Sequence, residues 1–189
     1  ARCSVRMAAA KSLCMNERYG EIEALLRDSD PRLRRAGLDG IIDCRPWFTG
    51  PVIGKEALKA EQYTPAMIAS INGMMSNSKE AWFVIDAALN ALKQAPLEVL
   101  EKNLPNILPW TTVDDWWMRE SAFTALMGFE RDEALFLKHL PTIINIMINE
   151  YHYNPRHKML KELERVMAGH KSDSDIGRAI LAGFSRAAL

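Results

Sequence analysis

Asp30-Pro31-Arg32-Leu33-Arg34-Arg35-Ala36-Gly37-Leu38-Asp39-Gly40-Ile41 holds a helix start and, behind it, the pattern that organises the chain. Ser29-Asp30 offers a cap, and Pro31 takes the first helical position, where its missing N–H removes no ladder bond. Leu33-Arg34 is then followed by Gly37 and Ile41, four and eight residues after the leucine, which places them on one helix face. The same arrangement recurs as Val5-Arg6 with Ala9 and Leu13, as Met118-Arg119 with Ala122 and Leu126, and without the arginine as Val84 with Ala88 and Leu92. A small residue at the centre of such a face lets a neighbouring helix approach closely. Strand signals are nearly absent, because apolar residues recur at helical intervals throughout.

Between these copies a second pattern repeats. Lys102-Asn103-Leu104-Pro105-Asn106-Ile107-Leu108 matches Lys138-His139-Leu140-Pro141-Thr142-Ile143-Ile144 at an offset of 36, and Thr64-Pro65-Ala66-Met67-Ile68 is a weaker copy. A proline inside a helix removes a ladder bond and kinks the rod, so its recurrence predicts a kink in successive first helices. Asn154-Pro155 repeats the cap-proline start, Asn77 with Glu80 fits a capping-box spacing, and Asp114 and Asp115 bring negative charge to a helix N-terminus. The spacing predicts a lone helix at about 3–15, hairpins near 18–43, 64–94, 97–129 and 132–168, and a final helix from about 173. Arg45-Pro46-Trp47-Phe48-Thr49-Gly50-Pro51 is dense in turn residues, so 45–62 reads as a loop between repeats with one helical turn near Lys55–Lys59.

Leu25-Leu26-Arg27-Asp28-Ser29-Asp30-Pro31-Arg32-Leu33-Arg34-Arg35-Ala36 resembles the turn and second-helix start of HEAT repeats. The resemblance covers most of the chain, most closely at 18–43 and 97–129. It implies an all-α fold, an α-α superhelix of stacked antiparallel hairpins with second helices on the concave side, as one repeat domain over 1–189. The repeat arginine is replaced by Ile85 in one copy, and the last hairpin fits the pattern least well. The sequence opens and closes within helical patterns and has no initiator methionine, so it reads as a piece of a longer protein.

Composition bounds the function. Hydrophobic residues make up 48% and charged residues 25%, which suits a folded domain and argues against disorder. Net charge is zero, with Lys and Arg against Asp and Glu at 9 to 7 over 1–50, 8 to 13 over 51–150 and 7 to 4 over 151–189. Phosphate neutralisation supplies most non-specific nucleic-acid affinity, so this balance argues against nucleic acid as the partner. No apolar run reaches the roughly 18 residues that span a bilayer. Cys3, Cys14 and Cys44 lack metal spacing and read as small buried apolar residues. The ten methionines read as core filler.

The candidate contact residues are Arg34, Trp47, Phe48, Trp116 and Arg119. Arg34 and Arg119 follow Asp30 and Asp115 by four residues, which predicts intrahelical or inter-repeat ion pairs. The HEAT resemblance implies a structural ladder of such residues. A helical wheel turns Trp116 away from the face of Met118, Ala122 and Leu126, where it could anchor a partner beside Arg119 or pack on an adjacent hairpin. Trp47 and Phe48 raise the same choice in the loop. His152 and His157, beside Glu150, Tyr151 and Tyr153, lack a recognised metal spacing, and nucleotide and nucleophile motifs are missing, so neither metal nor cofactor is expected. The reading is a non-catalytic interaction or scaffold module for a protein, a peptide or another domain of the same polypeptide. The alternative is an enzyme: Asp115-Trp116-Trp117-Met118-Arg119-Glu120-Ser121-Ala122 is faintly similar to a stretch of the HEAT-like alkylpurine DNA glycosylases, which implies a DNA groove carrying Trp and Asp.

Overall fold

The computed structural model describes residues 3–43, 57–171 and 174–187, with α-helices and short 3-10 turns and no strand among them. The helices are α1 (Cys3–Met15), α2 (Tyr19–Leu26), α3 (Pro31–Ile42), α4 (Pro65–Ser76), α5 (Trp82–Leu92), α6 (Leu97–Ile107), α7 (Trp116–Leu126), α8 (Glu133–Asn149), α9 (Tyr153–Ala168) and α10 (Asp175–Ala187). The lone first helix, both helices of each predicted hairpin and the final helix are all present.

Local chemistry explains several of the starts. The Asp30 carboxylate accepts from the Arg32 N–H at 2.8 Å with Pro31 in the first turn, and the Thr64 hydroxyl accepts from the Met67 N–H at 3.2 Å ahead of Pro65. Asp132 caps α8 by accepting from the Leu135 N–H at 2.9 Å. Three expectations shift. Asn77 closes α4 instead of opening α5, which starts at Trp82, and the Glu80 carboxylate accepts from the Ala81 N–H at 2.9 Å instead of completing a capping box. α9 opens at Tyr153, with His152 as its cap, so Pro155 falls inside the first turn. Residues 57–59 are not helical, and a 3-10 turn follows at Ala60–Gln62, while 45–56 lie outside the described residues. Pro105 and Pro141 are internal to α6 and α8, each nine residues in, whereas Pro65 begins α4 and interrupts nothing.

Two compact units are present, Ala1–Ile107 and Leu108–Leu189. In the first, α1 packs on α3 and α3 on α5, while α2 packs on α4 and α4 on α6, so consecutive helices alternate between two layers. In the second, α7 packs on α9 and α8 on α10 in the same alternation. The four-residue pattern marks the seam in three of its four copies. Gly37 and Ile41, Val84, Ala88 and Leu92, and Met118, Ala122 and Leu126 are buried. The α1 copy departs by one residue: Ala10 and Cys14 are buried, while Val5 and Ala9 are exposed. The methionines are mostly core, with Met67, Met74, Met75, Met118, Met127, Met147 and Met159 buried and Met15 exposed. Cys14 is buried as expected, but Cys3 is exposed because it sits in the first turn of α1, and Cys44 lies outside the described residues.

α1 ends in a reciprocal cap. The Arg18 N–H donates to the Leu13 carbonyl at 2.9 Å and the Glu17 N–H to the Cys14 carbonyl at 3.0 Å, with Glu17 at φ 56°. That left-handed position is usually glycine, because a Cβ there crowds the following carbonyl. Glu17→Gly is therefore expected to raise stability by about 1 kcal/mol, seen as a higher urea midpoint at unchanged slope. A lower midpoint would show that the side chain contributes more than the strain it imposes.

Candidate functional site

The second unit builds a site around Arg119 in the first turns of α7. Its Nε and Nη2 donate to Glu150 Oε2 and Oε1 at 2.7 and 2.8 Å, a two-pronged pair. Nη1 donates to the carbonyls of Val113 and Asp114, both at 2.8 Å. Glu150 ends α8, and its Oε1 also accepts from the His152 N–H at 2.8 Å. The Tyr151 ring lies over the guanidinium, 4.7 Å from its carbon. Arg119 and Glu150 are each 4% exposed, so one buried cation ties the approach to α7 to the turn between α8 and α9. The bonds that Arg119 donates to Glu150 raise its pKa. Burial works against the charge on Glu150, but the bonds from Arg119 and the His152 N–H outweigh it and hold the carboxyl below its ordinary range.

The first unit repeats the device. Arg34 Nη1 donates to the carbonyls of Asp28 and Ser29 at 2.6 and 3.0 Å, and Nη2 donates to Glu80 Oε1 at 2.6 Å. In both cases the arginine takes the carbonyls six and five residues behind it and an acid from the turn inside the next helix pair. The expected partners at i−4 are not used: Asp30 caps α3, and the Asp115 side chain makes no capping bond. Both arginines point back at the preceding turn and take its carbonyls, and at Arg34 the i−4 carboxylate is already engaged as the cap of α3.

Other ion pairs join helices of one layer. Lys11 of α1 pairs with Asp43 at 2.8 Å, and Arg35 of α3 pairs with Asp39 at 2.9 Å and with Asp86 of α5 at 3.1 Å. Burial pushes the Asp39 carboxyl up, against the pull of Arg35 and Lys11. Lys158 of α9 pairs with Glu120 of α7.

Aromatic residues flank the pair in the chain, Trp116 and Trp117 ahead of Arg119 and Tyr151 and Tyr153 after Glu150. Trp116 is half-buried, and its ring stacks on His152 at 5.5 Å with planes 13° apart. It is therefore packed, as the second of the two sequence readings allowed. Trp117 lies edge-on to Trp116 at 5.9 Å and is 38% exposed. Tyr153 stacks on His157 at 5.7 Å, which gives that histidine an aromatic partner. Tyr151 and Tyr153 are 77% and 74% exposed. Beside Tyr151 a cavity of about 390 Å³ is lined by Leu108, Thr142, Ile146, Asn149, Glu150 and Tyr151 among others.

Of the sequence candidates, Trp116 and Arg119 thus lie together, Arg34 occupies the equivalent place in the first unit, and Trp47 and Phe48 lie outside the described residues. Trp117, Tyr151, Tyr153 and the two glutamates were missed. The arginines signalled that acids were needed, but partners 46 and 31 residues away leave no local spacing to read. Among the described residues no group of three or more His, Cys, Asp or Glu could hold a metal, and no helix is long and apolar enough to cross a membrane. Comparison with protein-family models, curated proteins and solved structures found no match.

Proposed function

We propose that the chain is a HEAT-type interaction or scaffold module, each unit a stretch of α-α solenoid, and that it binds a protein or peptide, or another domain of its own polypeptide, without catalysis. The alternating packing of helices in each unit and the twice-used arginine–glutamate tie support the repeat reading. One observation carries the binding reading. Tyr151 stands exposed over the buried, fully engaged Arg119–Glu150 pair, and Trp117 of α7 and Tyr153 at the start of α9 are exposed on the two helices next in the chain to that pair. Exposed aromatic rings on a rigid mount lose little freedom when a partner covers them, which is why such residues dominate binding energies.

The test separates anchor from support. Arg119 is buried and structural, so its loss would unfold the site instead of probing contact. Replacing Trp117, Tyr151 and Tyr153 together with alanine is expected to leave the circular-dichroism spectrum unchanged and to weaken a bound partner by at least about tenfold, since each hot-spot ring contributes about 1 kcal/mol or more. Partners retained at full affinity by a folded triple variant would place the contact surface elsewhere.

A further inference from the structure

The cavity beside Tyr151 lies wholly within the second unit, between the 3-10 turn Leu108–Thr111 and α8, and its lining shares one chemistry. Its two charged side chains, Arg119 and Glu150, neutralise each other in a buried pair, so the wall offers an ion no counter-charge. The remaining polar lining is uncharged. The Thr111 and Thr112 hydroxyls donate to the carbonyls of Leu108 and Pro109 at 2.7 and 3.1 Å, so their oxygens keep only acceptor capacity. Thr142, Asn145, Ile146 and Asn149 share one face of α8. The Asn149 carboxamide donates to the Asn145 carbonyl at 2.8 Å, and the Asn145 carboxamide makes no hydrogen bond among the described residues. Each asparagine therefore keeps a carbonyl oxygen and at least one N–H for a ligand.

The spacing of the two asparagines selects among neutral ligands. Residues four apart on a helix are about 6 Å apart along its axis. Alternate residues of an extended peptide, whose N–H and C=O groups point the same way, repeat about every 6.6 Å. A carboxamide offers the donor and the acceptor that match the C=O and N–H of such a residue. Leu108 and Ile146 add apolar wall to the same cavity.

We propose that this cavity binds the uncharged backbone of an extended peptide, with Asn145 and Asn149 bonding alternate residues and Leu108 and Ile146 receiving an aliphatic side chain. This rests on the interaction-module reading and gives its ligand a chemistry, hydrogen bonds and shape without charge.

The experiment uses the full chain and a short labelled peptide of alternating valine and serine, capped at both ends to remove its terminal charges. Fluorescence anisotropy reads its binding at low and high salt, beside the same peptide N-methylated throughout and versions with arginine or glutamate in place of serine. The capped peptide is expected to bind with an affinity that salt does not change. N-methylation, which removes its N–H donors, is expected to weaken it by at least about tenfold. Asn145→Ala with Asn149→Ala, both at exposed positions, is expected to keep the circular-dichroism spectrum and to cost about tenfold. Trp117→Ala with Tyr153→Ala, which do not line the cavity, is expected to leave this binding unchanged. Tighter binding of the arginine or glutamate peptide, lost at high salt, would overturn the neutral ligand. Capped-peptide binding that survives the asparagine substitutions but is lost with Trp117 and Tyr153 would overturn the cavity and keep the interaction module. No binding by any of the peptides would overturn the cavity as a peptide site, whereas the module reading answers to its own triple variant.

Discussion

Arg119→Ala is expected to destabilise the second unit by about 3 to 5 kcal/mol, lowering its thermal midpoint by more than about 10 °C. Removing the guanidinium strands the Glu150 carboxylate at 4% exposure and releases the carbonyls of Val113 and Asp114. The cost is the desolvation of groups left without partners, which exceeds the net worth of the pair itself. Arg119→Lys recovers little, because a single ammonium cannot bridge two carboxylate oxygens and two carbonyls at once. Arg119→Met with Glu150→Leu regains much of the loss, since no buried charge remains. A melting curve for Arg119→Ala that overlays the wild type would mean that the pair is not buried in solution.

The same pair gives an acid signature. The folded-state pKa of Glu150 lies below its ordinary value of 4.5, so its stabilising contribution is complete above that pH and is lost as pH falls through the folded value. Asp39 in the first unit has the opposite sign. Its carboxyl is raised above 3.8, so ionising it weakens the fold as pH rises, and acid relieves that cost.

What the residues reveal in advance depends on the range of the interaction. Caps and the buried stripe of a helix rest on positions a few residues apart, and Asp30-Pro31, Thr64-Pro65 and the four-residue spacing of Val84, Ala88 and Leu92 expose them directly. Val5 shows where periodicity fails: the same spacing is present, but α1 turns Ala10 and Cys14 inward instead. A wheel gives relative angles and not the absolute facing of a helix. The site was half legible. Arg119 stood out because it recurs, and Trp116 drew notice because it is Trp. His152, which stacks on Trp116, and Glu150, which pairs with Arg119, arrive from a turn more than thirty residues on. Tyr151 meets Arg119 from that same turn, so no local pattern could single it out.

Gly40→Ala is expected to lower stability by about 1 to 2 kcal/mol, and Gly40→Val by about 3. A Cβ at Gly40 would sit 2.9 Å from the Ala10 carbonyl oxygen and 3.1 Å from its carbon, both backbone atoms of α1 that no rotamer change can move. α1 and α3 would have to part, stretching the 2.8 Å Lys11–Asp43 pair that joins them nearby. Two other helical glycines fix the sign. Gly73 has nothing within 4 Å of its virtual Cβ, so Gly73→Ala gains about 0.5 to 1 kcal/mol from the reduced freedom of the unfolded chain. Gly37 meets the Leu26 side chain at 3.1 and 3.3 Å, which can yield, and the Leu25 Cβ at 3.2 Å, which cannot turn away, so Gly37→Ala falls between the two. Urea midpoints ordered Gly73→Ala, Gly37→Ala, Gly40→Ala from most to least stable follow from backbone contact at one glycine alone. Should Gly40→Ala gain as much as Gly73→Ala, α1 and α3 do not approach as closely as the described packing requires.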